Sequence, residues 1–293
     1  MASEWCIGII GGSGLYDIEG LEDAQWIAVD TPWGEPSDEI LCGTLSGVKV
    51  RFLPRHGRGH PIPPSELNAR ANIDALKRSG CTDIIAISAV GSLREELEPG
   101  RFAIVDQFID RTFTRASTFF TNGFVAHVSM ADPTCERLSE FCANALTACE
   151  GKVAVGATYL AMEGPQFSTR AESRMYRQWG ADIIGMTGMP EAKLAREAEL
   201  PYALVGMVTD YDCWREDEAV DVAEVIAQMQ ENGALARAMV VKLVQSLPKK
   251  RAPSPIDTVL DTAVITAPEE QDEAMIAKLD AIGKRLFATK QSG

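Results

Sequence analysis

Short runs of apolar residues recur along the chain, and most of them end at a cluster of small or polar residues. Runs of about four to eight residues rich in Val and Ile are typical of strands buried on both faces. Helical periodicity separates several of them, so the pattern predicts an α/β fold. The predicted strands are residues 5–10, 48–53, 84–88, 102–108, 153–162, 182–186 and 202–209.

The segment 182–214 holds the most informative pair of these strands. A helical stretch rich in Ala, Glu, Lys and Arg joins strand 182–186 to strand 202–209. This order predicts a βαβ unit in a mainly parallel sheet, and in such sheets ligands bind at the carboxyl ends of strands. Two carboxylates, Asp210 and Asp212, follow the second strand directly. We therefore favour a ligand site there over a solvated loop.

Periodicity and capping residues predict the helices. Residues 111–130 have weak periodicity and read as a long excursion, which is typical of functional loops or subunit contacts. After residue 247 the composition changes to a Pro-rich linker, 248–255, and then an amphipathic helix over 268–286. We therefore divide the chain into a domain, 1–247, and a linker with a helical extension, 248–293. The other predicted helices are 65–79, capped by Ser65, 133–150, one from about Thr169, and one or two within 218–246.

Charge and composition exclude several classes of function. The formal net charge of −14 argues against nucleic-acid binding and against binding to acidic membranes. No apolar run is long enough to span a bilayer, and no export signal is visible at the N-terminus. Seven cysteines without a CxxC pair, and only three histidines, argue against a zinc site and indicate reduced thiols in a cytoplasmic protein.

Two of the strand ends suggest a site for an anion. Gly11–Gly14 could be a phosphate-binding turn, because glycines let backbone N–H groups approach an anion. A dinucleotide site is the alternative, but the third glycine of that motif is absent. Arg55 and His56 follow strand 48–53 and form a basic cluster that suits phosphate, although an ordinary basic surface loop is the alternative.

Five of these segments together resemble one family. They are Gly11-Gly-Ser-Gly14, Leu53-Pro-Arg-His-Gly57, Ser88-Ala-Val-Gly-Ser92, Glu163-Gly-Pro-Gln-Phe167 and Thr209-Asp-Tyr-Asp-Cys-Trp214. In this order and spacing they look like the S-methyl-5′-thioadenosine phosphorylases, which belong to the trimeric purine nucleoside phosphorylases. The resemblance covers about residues 5–247. It implies a single α/β domain around a mixed, partly barrel-like sheet, a homotrimer, and no metal or organic cofactor.

The resemblance also implies a reaction and its residues. The family converts methylthioadenosine and phosphate into adenine and 5-methylthioribose 1-phosphate. Asp210 would protonate purine N7 and Asp212 would accept a hydrogen bond from the N6 amine, while Phe167 would flank the purine and Met186 the ribose. Val222 and Val225 would line the methylthio pocket, with His127 reaching it from a neighbouring subunit. The implied phosphate ligands are Ser13, Arg55, His56, Ser88, Ala89 (through its backbone) and Thr187.

Other functions remain open from the sequence. The nearest alternative is a phosphorylase of methylthioinosine or of other purine nucleosides. Relatives that act on 6-oxopurines tend to carry Glu and Asn where this chain has Ser168 and Asp210, which favours adenine. A non-catalytic nucleoside-binding protein on the same scaffold is a further alternative, against which the Arg55–His56 cluster and both acids argue. For the two valines, plain packing of a helix on the core is the alternative to a binding role.

Overall fold

Nine strands form one mixed sheet in the computed structural model, which describes residues 4–12, 14–121, 123–215 and 222–290. Every strand predicted from the sequence is present, and its ends lie within about two residues of the predicted ones. The exception is the strand predicted at 84–88, which continues to Ser92. The strands are β1 (Cys6–Gly11), β2 (Leu21–Ile27), β3 (Ile40–Leu45), β4 (Val48–Pro54), β5 (Asp83–Ser92), β6 (Phe102–Asp110), β7 (Val153–Ala161), β8 (Ile183–Gly185) and β9 (Tyr202–Asp210).

The sheet closes on itself at one end. Its order is β2-β3-β4-β1-β5-β8-β7-β6-β9, and β9 also pairs with β5, so that five strands form a ring. The expectation of a single α/β domain with a mixed, partly barrel-like sheet is confirmed. The prediction of a βαβ unit between β8 and β9 is wrong. β9 pairs with β5 in parallel, whereas β8 pairs with the end of β5 in antiparallel orientation. β8 and β9 therefore point in opposite directions, which a βαβ unit does not allow.

Helices cover the sheet and bury its apolar side chains. The α5 helix is fixed to the sheet by Asn232, whose buried amide donates to the Val208 carbonyl. None of the described helices is long and apolar enough to cross a bilayer. The helices are α1 (Ala69–Arg78), α2 (Glu136–Ala148), α3 (Arg170–Gln178), α4 (Gly188–Glu197), α5 (Val222–Ser246), α6 (Glu273–Lys278) and α7 (Lys284–Lys290), with short 3-10 turns at Pro64–Glu66, Pro255–Thr262 and Pro268–Glu270.

Two predicted helices differ in the structure. The helix expected from Ser65 begins at Ala69, because the Asn68 side chain caps it by accepting from the N–H of Ala71, whereas Ser65 lies in a 3-10 turn. The single helix expected over 268–286 is instead a 3-10 turn followed by two short helices, α6 and part of α7. The helical hydrogen bonds end near Leu279, and the chain turns before α7.

The C-terminal segment packs on the main domain. Leu260, Met275, Leu279 and Ile282 are buried in the same apolar cluster as residues of β5, β9 and the excursion 111–130. Arg251 anchors its beginning by pairing with Asp83, at the start of β5, and with Asp257. A single bridge between Ala126 and Val264 ties the segment to the excursion. The described part of 248–290 is therefore integral to the core.

Candidate active site

A cavity of about 560 Å3 opens where β1, β4, β5, β8 and β9 end. Its wall combines backbone and side chains of loops that are far apart in the sequence, as expected at the ends of strands in an α/β sheet. Ten of the thirteen predicted site residues line it. They are Arg55, His56, Ser88, Ala89, Phe167, Met186, Thr187, Asp210, Asp212 and Val225.

Of the other three predicted residues, Val222 and His127 do not line this cavity within one chain. Val222 begins α5 and is 56% exposed. His127 is exposed on the excursion 111–130. Ser13 lies outside the described residues, between Gly12 and Gly14, both of which line the cavity.

Two buried hydroxyls form one part of the wall. Ser88 Oγ and Thr187 Oγ1 lie 3.1 Å apart, Ser88 on β5 and Thr187 at the N-cap of α4. The backbone N–H groups of Thr187 and Gly188 both donate to the Tyr159 hydroxyl at 3.3 Å, which fixes the start of the helix. Two neighbouring hydroxyls suit an anion, because each can donate a hydrogen bond to it.

Arg55 is almost completely buried behind this part of the cavity. Its Nε and Nη2 donate to the two carboxylate oxygens of Glu191 at 3.0 and 3.2 Å, and its Nη1 donates to the Ile87 carbonyl at 3.0 Å. A longer bond of 3.4 Å joins Nη2 to the Ile10 carbonyl. The guanidinium is therefore held rigidly, and its charge is balanced by a carboxylate.

The His56 ring is neutral, with Nδ1 as a hydrogen-bond donor and Nε2 as an acceptor. A carbonyl can only accept a hydrogen bond, so the contact of 2.9 Å between Nδ1 and the Ile62 carbonyl makes Nδ1 the donor. Burial and, to a smaller extent, the nearby Arg55 and His60 lower the pKa of His56 to about 4, against the opposing effect of the bond to the Ile62 carbonyl. At neutral pH the ring therefore carries no charge and has an acceptor lone pair on Nε2. His60 stacks on it with ring centroids 4.2 Å apart.

Two acids stand at the end of β9. The Thr209 hydroxyl donates to Asp210 at 2.7 Å, and the other Asp210 oxygen accepts from the N–H of Asp212 at 2.9 Å. Burial and the like charge of Asp210 together raise the pKa of Asp212 to about 6, although the nearby hydroxyls of Ser173 and Ser168 oppose the shift. Among the described residues, Asp212 Oδ2 is buried without a hydrogen-bond partner. It is thus an acceptor that a ligand can satisfy.

Apolar groups complete the cavity. Phe167 presents a ring that is 48% exposed, and Met186 lies beside Gly164. A Cβ at Gly164 would come within 2.5 Å of the Met186 sulfur, and the backbone there has φ of +72°. Glycine is therefore required at 164 both for the turn and for the position of Met186. Val225 adds an aliphatic side chain from α5.

The chain is similar to known phosphorylases over most of its length. The model of the phosphorylase superfamily matches residues 6–245. An S-methyl-5′-thioadenosine phosphorylase from Cereibacter sphaeroides is 57% identical over 96% of this chain and 98% of its own length. The corresponding enzyme of Bradyrhizobium diazoefficiens is 53% identical over 96% of this chain and 98% of its own.

The chain belongs to the S-methyl-5′-thioadenosine phosphorylase family. Solved structures agree. A methylthioadenosine phosphorylase from an antarctic soil metagenomic library superposes with a TM-score of 0.89 at 46% identity, covering 95% of this chain and 99% of the other. The methylthioadenosine phosphorylase of Schistosoma mansoni in complex with adenine gives 0.76 at 39% identity, covering 83% and 91%.

Several residues of this phosphorylase were missed from the sequence. Arg115, in the excursion 111–130, pairs with Glu163 and donates to the carbonyls of Met186 and Met189. Glu191 pairs with Arg55, and Arg237 lines the cavity from α5. An arginine in a weakly periodic stretch is the one local signal for Arg115. The helical pattern around Glu191 and Arg237 does not predict that they contact Arg55 and Gly14, which are distant in the sequence.

Proposed function

We propose that this protein cleaves S-methyl-5′-thioadenosine with inorganic phosphate, yielding adenine and 5-methylthioribose 1-phosphate. The observation that carries this is the order of groups along β5. Ser88 lies beside Thr187, and three residues later Gly91 pairs with Asp210. Three residues of strand span about 10 Å. An anion at the hydroxyls and a purine at the acids would thus leave room for one ribose between them.

The phosphate acts as the nucleophile. The Ser88 and Thr187 hydroxyls and the backbone of Ala89 would hold it, with Arg55 and His56 behind them and Ser13 on the adjoining glycine turn. One phosphate oxygen forms a bond to C1′ of the ribose as the bond from C1′ to purine N9 breaks. The transition state is a sugar cation, which the bound dianion stabilises from below. The reaction requires no metal or organic cofactor, because phosphate itself supplies the attacking group.

The purine leaves as its charge is neutralised. Negative charge develops on the departing base, and Asp210 would act as the general acid at N7. The unpartnered oxygen of Asp212 would accept from the N6 amine, since an amine presents donors and a carboxylate presents acceptors. Phe167 would stack on the base and Met186 would pack on the ribose. A 6-amino purine satisfies the buried oxygen, which favours adenine over a 6-oxopurine.

The 5′ substituent needs a second subunit in this proposal. Val225 and Val222 lie three residues apart on α5, one turn of helix, and would contact the methylthio group. The exposed position of His127 within one chain fits a residue that enters the site of a neighbouring subunit. We propose a homotrimer in which His127 closes the methylthio pocket of the next subunit.

Turnover of four nucleosides tests the proposal. Methylthioadenosine, adenosine, methylthioinosine and inosine are each incubated with and without phosphate, and release of the free base is measured by chromatography. We expect the fastest release from methylthioadenosine, and only when phosphate is present. Faster loss of the two 6-oxo nucleosides would assign the enzyme to 6-oxopurines instead. Binding of methylthioadenosine without release of adenine would indicate a nucleoside-binding protein.

A further inference from the structure

The cavity wall must supply positive charge if it binds phosphate. Monohydrogen phosphate carries two negative charges, so its site needs net positive charge as well as donors. Among the described residues that line the cavity, the permanently charged cations are Arg55 and Arg237, and the acids are Asp210 and Asp212. The two arginines differ in what surrounds them.

Arg55 contributes one free N–H group but little net charge. Four of its five N–H groups are taken by Glu191 and by the carbonyls of Ile87 and Ile10. Glu191 is itself 4% exposed and accepts a further hydrogen bond of 2.8 Å from the Tyr202 hydroxyl. The buried pair of Arg55 and Glu191 is therefore formally neutral where it meets the phosphate.

Arg237 differs from Arg55 because its hydrogen bond goes to a carbonyl and not to a carboxylate. It is half-buried on α5, and its Nη1 donates to the Gly14 carbonyl at 3.1 Å. The same nitrogen lies 3.9 and 3.7 Å from where Cβ atoms of Gly14 and Gly233 would be, and both glycines line the cavity. Within the described parts of the chain, no carboxylate is paired with it. One hydrogen bond to a carbonyl leaves both the charge and most of its donors available.

We propose that Arg237 binds the phosphate and supplies the net positive charge of its site. This inference rests on the proposed phosphorolysis and extends it, because it separates two tasks: Arg55, locked by Glu191, orients the phosphate, and Arg237 attracts the dianion from solvent. Its bond to Gly14 also positions the glycine turn against α5. The phosphate is thus held between the carboxyl ends of the strands and one helix of the outer layer.

Kinetics of the Arg237→Gln variant test the inference. We expect the KM for phosphate to rise by about 10-fold to 100-fold, because one charge-assisted contact is lost. The KM for methylthioadenosine and kcat at saturating phosphate should change by less than about threefold, since only uniform binding of phosphate is removed. Arg237→Lys keeps the charge and should recover most of the phosphate affinity.

Arg51→Gln is the matched control. Arg51 is also a half-buried arginine whose partners among the described residues are backbone carbonyls, those of Gly43, Val50 and Ser79, but it does not line the cavity. Its substitution should leave the KM for phosphate unchanged. An unchanged KM for phosphate in Arg237→Gln, or an equal rise in the KM of both substrates, would overturn the inference.

A measurement on the unaltered enzyme covers the case in which Arg237→Gln does not fold. Arginines are modified with phenylglyoxal and the peptides are analysed by mass spectrometry. Phosphate should protect Arg237 from modification, adenine alone should not, and the absence of protection by phosphate would contradict the inference. A wild-type enzyme that releases adenine at the same rate without phosphate would instead refute the proposed function, so that the two failures are distinguishable.

Discussion

At the scale of single residues, Asp212 combines several features that are unfavourable for the free energy of folding. It is 4% exposed, its φ is +52°, and one of its oxygens has no partner among the described residues. A left-handed backbone costs an L-residue about 1 to 2 kcal/mol, although Asp tolerates it better than most. Strain and unsatisfied polar atoms that persist together are typical of residues kept for binding or catalysis.

The raised pKa of Asp212 predicts a pH-dependent choice of base. Above pH 6 the carboxylate accepts from a 6-amino group, whereas below it the protonated carboxyl can donate to a 6-oxo group. The ratio of kcat/KM for methylthioadenosine to that for methylthioinosine should therefore rise as the pH increases through about 6. In Asp212→Asn the ratio should be lower and independent of pH. A ratio that stays flat in the wild-type enzyme would exclude this role.

Asp210→Asn is expected to lower kcat by about 100-fold or more, because general acid catalysis contributes on that scale. The KM for the nucleoside should change little, since charge at N7 develops mainly in the transition state. Steady-state kinetics with methylthioadenosine measure both. Asp106→Asn, at an exposed position of β6, is the control and should behave as wild type. Normal turnover by Asp210→Asn would remove Asp210 from the mechanism.

At the scale of elements, the excursion 111–130 holds the active-site loops in place. Arg115 is 5% exposed and donates to the carbonyls of Glu163, Met186 and Met189, so it ties the ends of β7 and β8 together. Glu163 in turn accepts from the N–H groups of Phe113 and Thr114. A loop without regular structure thereby determines where Met186 and Thr187 stand.

Removing this arginine should damage both stability and binding. Arg115→Met removes the ion-pair partner of Glu163 and the side-chain donor to four carbonyls, and breaking a buried ion pair costs about 3 to 5 kcal/mol of unfolding free energy. Chemical denaturation measures the loss, and the KM of both substrates should rise. Arg94→Met removes a more exposed ion pair with Asp182 and should cost less than about 1 kcal/mol. Equal effects of the two substitutions would contradict the role of Arg115.

The sequence predicts which elements exist better than how they pair. The apolar runs of β5 and β9 identify buried strands, and the capping box at Thr169 begins α3 where expected. The direction of β8 was missed, because a three-residue strand carries no periodicity that distinguishes parallel from antiparallel pairing. Asp210 and Asp212 could be identified as site residues because they follow a strand directly. The partnership of Arg55 with Glu191 could not, since it joins residues 136 positions apart.

At the scale of the whole molecule, the C-terminal segment is part of the core. The change in composition at the Pro-rich stretch predicts a linker and a helical extension, and composition does not reveal what an amphipathic surface packs against. Leu279 is completely buried, and Arg285 pairs with Glu199, which also accepts from the N–H of Leu260. The excursion and the tail thus support each other on one side of the sheet.

Leu279→Ala should lower the unfolding free energy by about 2 to 5 kcal/mol, because it removes buried methyl groups and leaves a cavity. Ile265→Ala is the matched control, since Ile265 lies in the same segment but is 62% exposed, and it should change stability by less than about 0.5 kcal/mol. Denaturant titration of both variants measures the difference. A wild-type stability for Leu279→Ala would mean that the tail does not contribute to the core in solution.

Phosphate and a 6-amino purine should occupy one cavity of this enzyme at the same time. A crystal structure after soaking with adenine and phosphate tests it most directly. The predicted result is a phosphate in contact with the hydroxyls of Ser88 and Thr187 and an adenine whose N6 amine donates to Asp212, with room for a ribose between them. Adenine and phosphate bound in separate places, or adenine with its amine turned away from Asp212, would contradict the account.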